Sequence, residues 1–176
     1  ISRIAAGEVI ERPLNVVKEL VENSIDAGST AITVEIRDGG ITMIRVTDNG
    51  CGIERDQITK AFIRHATSKI TDAEDLSRLA SLGFRGEALA SIAAVAQVEM
   101  ITKVRGAVSG TRAVNDHLAA YSPDTPVQID LSEIGAPDGT TVFVRNLFGA
   151  IPVRRRFLRQ PQTEAGYITD LIEKQA

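Results

Sequence analysis

Ile32-Thr33-Val34-Glu35-Ile36-Arg37-Asp38-Gly39-Gly40-Ile41-Thr42-Met43-Ile44-Arg45-Val46-Thr47-Asp48-Asn49-Gly50-Cys51-Gly52 is the stretch that decides the fold. Ile32, Val34 and Ile36 alternate with Thr33, Glu35 and Arg37, the period-two pattern of a strand with one buried face. Asp38-Gly39-Gly40 supplies a turn, and Ile41 to Asp48 returns as a second strand, so an antiparallel hairpin is expected. In the returning strand Ile44, Val46 and Asp48 share a face, which puts a carboxylate on the apolar side. A buried carboxylate is costly unless it is hydrogen-bonded. Two readings stay open. Either Asp48 caps its own Asp-Asn-Gly turn, or it accepts a hydrogen bond from a ligand such as the exocyclic amine of a purine. In the second case Gly50 and Gly52 let the backbone turn and approach a flat ring.

Upstream of the hairpin, Pro13 is placed as the first-turn proline of a helix running to Asp26 and closed by Gly28, with a shorter helical stretch before it at Ile4 to Ile10. Asn15, Glu19, Glu22, Asn23 and Asp26 recur at three and four positions and share one side of this helix. The stripe is either the wet face of an amphipathic helix or a place for chemistry. Lys18 stands four residues before Glu22, whereas Asn23, four residues after Glu19, cannot join an ion pair. A carboxylate and an amide one turn apart, Glu19 and Asn23, are suited to deprotonating a water and ligating Mg²⁺.

Downstream, a helix is expected near Asp56 to Ile63, then a polar, irregular stretch from Thr67 to Ser77 that is long enough to be functional. A small-residue helix follows from Glu87 to about Ala96. Strands are expected at Gln97 to Val104, Gly110 to Val114, Val127 to Leu131 and Thr140 to Arg145, and a last helix from Thr163. Helices followed by mostly consecutive strands argue for an α+β, two-layer sandwich of helices on one face of a mixed, mostly antiparallel sheet. Gly83-Phe84-Arg85-Gly86-Glu87-Ala88-Leu89 sets two glycines and an arginine ahead of a helix. Such an entry is either a turn or an anion cradle for phosphate. It is not a Walker A loop, which needs a Lys followed by Ser or Thr after its second glycine.

Composition narrows the class. With 43% hydrophobic residues in 176, the chain can bury one real core and reads as a single domain. A net charge of -3 gives no global pull toward nucleic acid, so any DNA contact must be local. Arg154, Arg155, Arg156 and Arg159 form the dense basic cluster, which is a helix-flanking charged surface, a set of interdomain contacts or a phosphate-backbone contact for DNA. One cysteine, Cys51, excludes an internal disulfide framework, and His65 and His117 stand far apart. A stretch of roughly 20 apolar residues, which a membrane-spanning helix needs, is not found, so a soluble protein of a reducing compartment is expected.

The Asp48, Gly83 and Glu19/Asn23 constellations, with Gly139-Thr140-Thr141 on a late strand, resemble the four-part nucleotide site of the Bergerat (GHKL) ATPases. That superfamily includes DNA gyrase B subunits, ninety-kilodalton heat-shock chaperones, sensor histidine kinases and MutL. Ile4 to Pro13, Val17 to Ser24, His65-Ala66-Thr67-Ser68-Lys69 and the heptapeptide at Gly83 look like MutL, the DNA mismatch repair family, in particular. The resemblance is dense from Ile4 to about Ser91. It thins between Val104 and Pro126, and Phe148 to Pro152 lacks the Tyr-Asn pair frequent in bacterial relatives.

The resemblance implies a Mg-dependent ATPase that couples mismatch recognition to downstream repair through ATP-dependent lid closure and dimerisation. Glu19 would be the catalytic base, Asn23 would hold Mg²⁺, and Asp48, Gly50, Gly52 and Thr140 would form the adenine pocket. Thr67, Ser68 and Lys69 would belong to a lid, and Gly83, Phe84, Arg85, Gly86, Glu87, Ala88 and Leu89 to a phosphate cradle. Expected partners are ATP, DNA, a mismatch-recognition protein of the MutS type, downstream repair enzymes and a second copy on ATP binding. The chain would be one ATP-binding domain of a longer protein, without the following subdomain and the C-terminal dimerisation region, and hence weak in turnover. The location would be cytoplasmic and nucleoid-associated in a bacterium, nuclear in a eukaryote. The alternative is a nucleotide-switched or nucleotide-independent scaffold that binds DNA or a partner.

Overall fold

The computed structural model describes residues 10–62, 88–115 and 128–175. The expected helix at Ile4 to Ile10, the lid residues Thr67, Ser68 and Lys69, and Gly83 to Glu87 therefore lie outside the described residues, Ile10 excepted.

Helix α1 spans Pro13–Asp26, begins with its proline and buries Val16, Val17, Leu20, Val21 and Ser24 along one side. Asn15 serves the helix start, where its Oδ1 accepts the backbone N–H groups of Glu11 at 3.2 Å and Arg12 at 3.0 Å. These two donors have no intrahelical partner of their own. Strand β1, Ile32–Arg37, pairs antiparallel with β2, Met43–Asp48, across a short 3-10 turn at Asp38–Gly40. The hairpin is the one expected, with β2 beginning two residues later because the chain is still turning at Ile41 and Thr42.

Helix α2, Arg55–Ala61, buries Ile58, and helix α3, Ala88–Ala93, is buried from Leu89 to Ala93. Among the described residues, strands β3, Gln97–Lys103, β4, Gly110–Asn115, β5, Asp130–Ile134, and β6, Gly139–Arg145, complete a six-stranded sheet of order β1-β2-β6-β3-β4-β5. All its pairings are antiparallel. Strand β5 lies about three residues beyond the expected 127–131, because its extent follows the register with Gly110 to Val114 rather than its own apolar pattern. A short helix α4, Pro152–Arg156, and a long α5, Pro161–Gln175, close the chain. Helix α5 packs on the hairpin turn and on α1.

The layers follow from strand alternation. Ile44 and Val46 of β2, Val142 and Val144 of β6, Val98 and Met100 of β3 and Ala113 of β4 are buried together against Val16, Val17 and Leu20 of α1 and Leu89 and Ile92 of α3. Each such valine, leucine, isoleucine or methionine contributes roughly 1.5–3 kcal/mol by leaving water. The opposite face is charged. Glu99 accepts hydrogen bonds from Arg112 at 2.6 Å and Arg145 at 2.8 Å, Arg45 pairs with Glu35, and the Arg145 guanidinium lies 4.7 Å from the centre of the Phe143 ring. Burial on its own would raise the Glu99 carboxyl, but the two arginine hydrogen bonds and charges outweigh it and hold the pKa below the usual 4.5. Among the described residues no helix is long and apolar enough to cross a membrane.

Candidate functional site

The topology places β6 between β2 and β3, and the register then aligns Asp48 with Thr140 and Thr140 with Thr102. One rung inward, Val46 faces Val142 and Val142 faces Met100. A polar row therefore crosses three strands directly beside an apolar one, both on the helix-covered face.

Asp48 is held by donors from three directions. Its Oδ1 accepts the N–H of Gly50 at 2.8 Å and of Thr140 at 3.3 Å, and its Oδ2 accepts the Ser24 hydroxyl at 2.9 Å. The Ser24 oxygen also lies 3.0 Å from the Leu20 carbonyl, but the carboxylate is the stronger acceptor for its one proton. A carboxylate has about four acceptor sites, so Oδ2 keeps one open. Asp48 thus caps its own turn through Gly50 and keeps one acceptor site that these protein donors do not use.

Asp48 lines a small, partly open cavity. Leu20, Val46, Ile53, Leu89, Met100 and Val142 give it apolar walls, and Asn23, Ser24, Asp48 and Thr140 supply polar atoms. A mostly apolar slot with a few convergent polar groups is what a flat heteroaromatic ligand needs. Of the residues singled out from sequence, Asn23, Asp48, Gly52, Leu89 and Thr140 meet here.

Gly50 lies outside the cavity lining, and an added Cβ would stand 2.7 Å from both Ala27 Cβ and Ser29 Oγ, so its missing side chain admits the segment that follows α1. Gly52 does line the cavity, at φ +73°, but the atom its Cβ would strike is the Lys103 carbonyl. Both glycines seat the turn against the protein.

Glu19 is half-buried one turn before Asn23 and lies outside the lining, while Ala88 opens α3. Glu22 belongs to the helix surface, 3.9 Å from Lys18. Among the described residues no cluster of three or more His, Cys, Asp or Glu could hold a metal. Arg154 to Arg156 are the exposed last residues of α4, where Arg154 reaches the Ile10 carbonyl at 3.5 Å. Sequence reasoning missed Ser24 and Thr102. Both carried the signal that found Asp48, a polar residue in phase with apolar ones.

Residues 11–138 match the family described as histidine kinase-, DNA gyrase B-, and HSP90-like ATPase, and the chain belongs to that family. Within it, the relatives it resembles are DNA mismatch repair proteins MutL. The protein from Agathobacter rectalis is 61% identical over 100% of this chain and 26% of its own length. That from Caldanaerobacter subterraneus subsp. tengcongensis is 50% identical over 99% of this chain and 28% of its own length. Among solved structures, the Aquifex aeolicus MutL ATPase domain complexed with ADP superposes with a TM-score of 0.68 at 34% identity, covering 96% of this chain and 56% of that one. The chain thus spans between a quarter and a third of the curated relatives' length and about half of that solved domain.

Proposed function

We propose that the cavity takes the adenine of ATP and that the chain is the nucleotide-binding, slowly hydrolysing module of a MutL-type mismatch repair protein. The observation that carries this reading is the open acceptor of Asp48 at the edge of an apolar cavity, which suits a flat ring bearing one amine. Likeness to a MutL ATPase domain complexed with ADP supports it.

In this reading Asp48 accepts from the exocyclic amine, Thr140 and the Gly52 turn complete the base pocket, and Gly50 acts through its N–H on Asp48. Asn23 fits as a Mg²⁺ ligand: its amide oxygen is a hard donor on the cavity wall, and Mg²⁺ commonly needs only about one or two protein ligands beside substrate phosphates. When bound, the ion neutralises phosphate charge. Glu19, one turn away, orients and deprotonates the attacking water. Thr67, Ser68 and Lys69 are proposed as lid, and Gly83, Phe84, Arg85, Gly86, Glu87, Ala88 and Leu89 as phosphate cradle.

The single-domain chain would act with a following subdomain and a C-terminal dimerisation region. Self-association on ATP binding would link a MutS-type protein to DNA and to downstream enzymes, in the cytoplasm of a bacterium or the nucleus of a eukaryote. Isothermal titration with ADP, with and without Mg²⁺, tests the pocket. Binding is expected for the native chain and a loss of more than about tenfold for Asp48→Asn, whose amide would place a donor toward the ligand amine. Absence of binding to the native chain, or equal binding to both, would remove the reading.

A further inference from the structure

Thr102 is 1% exposed and stands on β3 behind Thr140, away from the cavity lining. Its hydroxyl oxygen accepts the Ile53 N–H at 2.9 Å and lies 2.9 Å from the Thr140 hydroxyl and 3.3 Å from the Gly139 carbonyl. The amide at one end can only donate. Thr102 has a single proton, and the nearer acceptor for it is Thr140. With that choice the chain runs Ile53 N–H to Thr102 O–H to Thr140 O–H, each bond polarising the next, and the Thr140 proton is left to point into the cavity. In the opposite sense Thr140 spends its proton on Thr102, Thr102 bonds the more distant Gly139 carbonyl, and only lone pairs face the ligand.

We propose that Thr102 is a positioning residue that makes Thr140 a hydrogen-bond donor to the base, and so sets the pocket's preference for a purine with an acceptor nitrogen beside its amine. The inference rests on the adenine reading above and extends it. Asp48 tests the amine, and Thr140, held by Thr102, tests the neighbouring ring nitrogen, N1 of adenine. In guanine that nitrogen carries a hydrogen, and an oxygen replaces the amine. Both contacts then meet the wrong partner.

The test compares ADP with 1-deaza-ADP, in which a C–H replaces that nitrogen, by calorimetric competition in the native chain, Thr102→Val and Thr102→Ser. The native chain should prefer ADP by about fivefold or more, the worth of one hydrogen bond. Thr102→Val keeps the shape without the hydroxyl and should reduce the preference to less than about twofold, while Thr102→Ser restores it. Thr102→Cys, a weak donor of similar bulk, reads the same ratio should the valine variant not fold, and should fall between. An undiminished preference in the valine or cysteine variant, or a serine variant that fails to restore it, overturns the role of Thr102. A native chain that binds both ligands equally overturns it as well, with the pocket intact. No ADP binding at all overturns the adenine reading and this inference with it.

Discussion

The Ser24 hydroxyl on α1 donates to Asp48 Oδ2 at the end of β2 at 2.9 Å, tying helix to sheet beside the cavity. Ser24 is buried in a helix that otherwise meets the sheet through Val16, Val17 and Leu20, so the bond fixes the carboxylate where apolar packing alone would leave it unconstrained. Ser24→Ala should cost about 1 kcal/mol, the net value of an ordinary hydrogen bond, because Asp48 keeps the Gly50 and Thr140 N–H donors. The melting temperature should fall by roughly 2–4 °C, measured by circular dichroism. An unchanged melting point would mean that the bond does not hold the two elements together.

In the proposed function Glu19 serves chemistry and not binding; it stands one turn from Asn23 and outside the cavity lining. In the full-length protein, Glu19→Ala should bind ADP within about threefold of the native protein while ATP turnover falls by about 100-fold or more, the scale of a lost general base. Phosphate release assays read the second and calorimetry the first. Unchanged turnover would place the base elsewhere.

Gly139 precedes Thr140 at φ +108°, and a Cβ there would run into the backbone of Asp48. The close approach is what lets the Thr140 N–H reach Asp48 Oδ1. Gly139→Ala should therefore destabilise by more than about 1 kcal/mol and weaken nucleotide binding together. Urea unfolding monitored alongside ADP titration checks both; a loss of stability with native affinity would separate strand geometry from the site.

Glu99 lies on the face away from the cavity. Burial pushes its carboxyl up, and the hydrogen bonds from Arg112 and Arg145 more than reverse this, so its folded pKa sits below 4.5. A depressed carboxyl pKa stabilises the fold above the unfolded value, and the stabilisation is lost as pH falls through the folded one. Because the arginines are half-exposed, Glu99→Gln should cost only about 1 kcal/mol at pH 7. The gap between variant and native should be constant above about pH 5.5 and close as the medium is acidified past the ordinary carboxylate range. Urea unfolding at a series of pH values reads it. A gap that widens toward acid would contradict the assigned sign.

Much of the arrangement was legible because period-two alternation is a local property. Ile32 to Asp48 gave the hairpin and the inward carboxylate, and the same alternation in Thr140, Val142 and Val144 carries the matching face of β6. Partner choice between distant strands is not local. Nothing in Gly139 to Arg145 states that it enters between β2 and β3, yet that insertion brings Asp48, Thr140 and Thr102 into one row. Thr102 was passed over because threonine is an ordinary strand former, although its phase with Val98 and Met100 pointed inward. Gly50 and Gly52 were legible as turn residues, but the neighbours that require them, Ala27, Ser29 and the Lys103 carbonyl, are distant or unmarked in the sequence pattern. The short α4 had one sign, Pro152 at its first turn, obscured by the arginines that follow.

A crystal structure of the protein with ADP and Mg²⁺ tests the central claim most directly. The base should lie between Leu89 and Met100 with its exocyclic amine within hydrogen-bond distance of Asp48 Oδ2 and its neighbouring ring nitrogen facing Thr140. A nucleotide bound elsewhere with this cavity empty, or a base whose amine points away from Asp48, would contradict it.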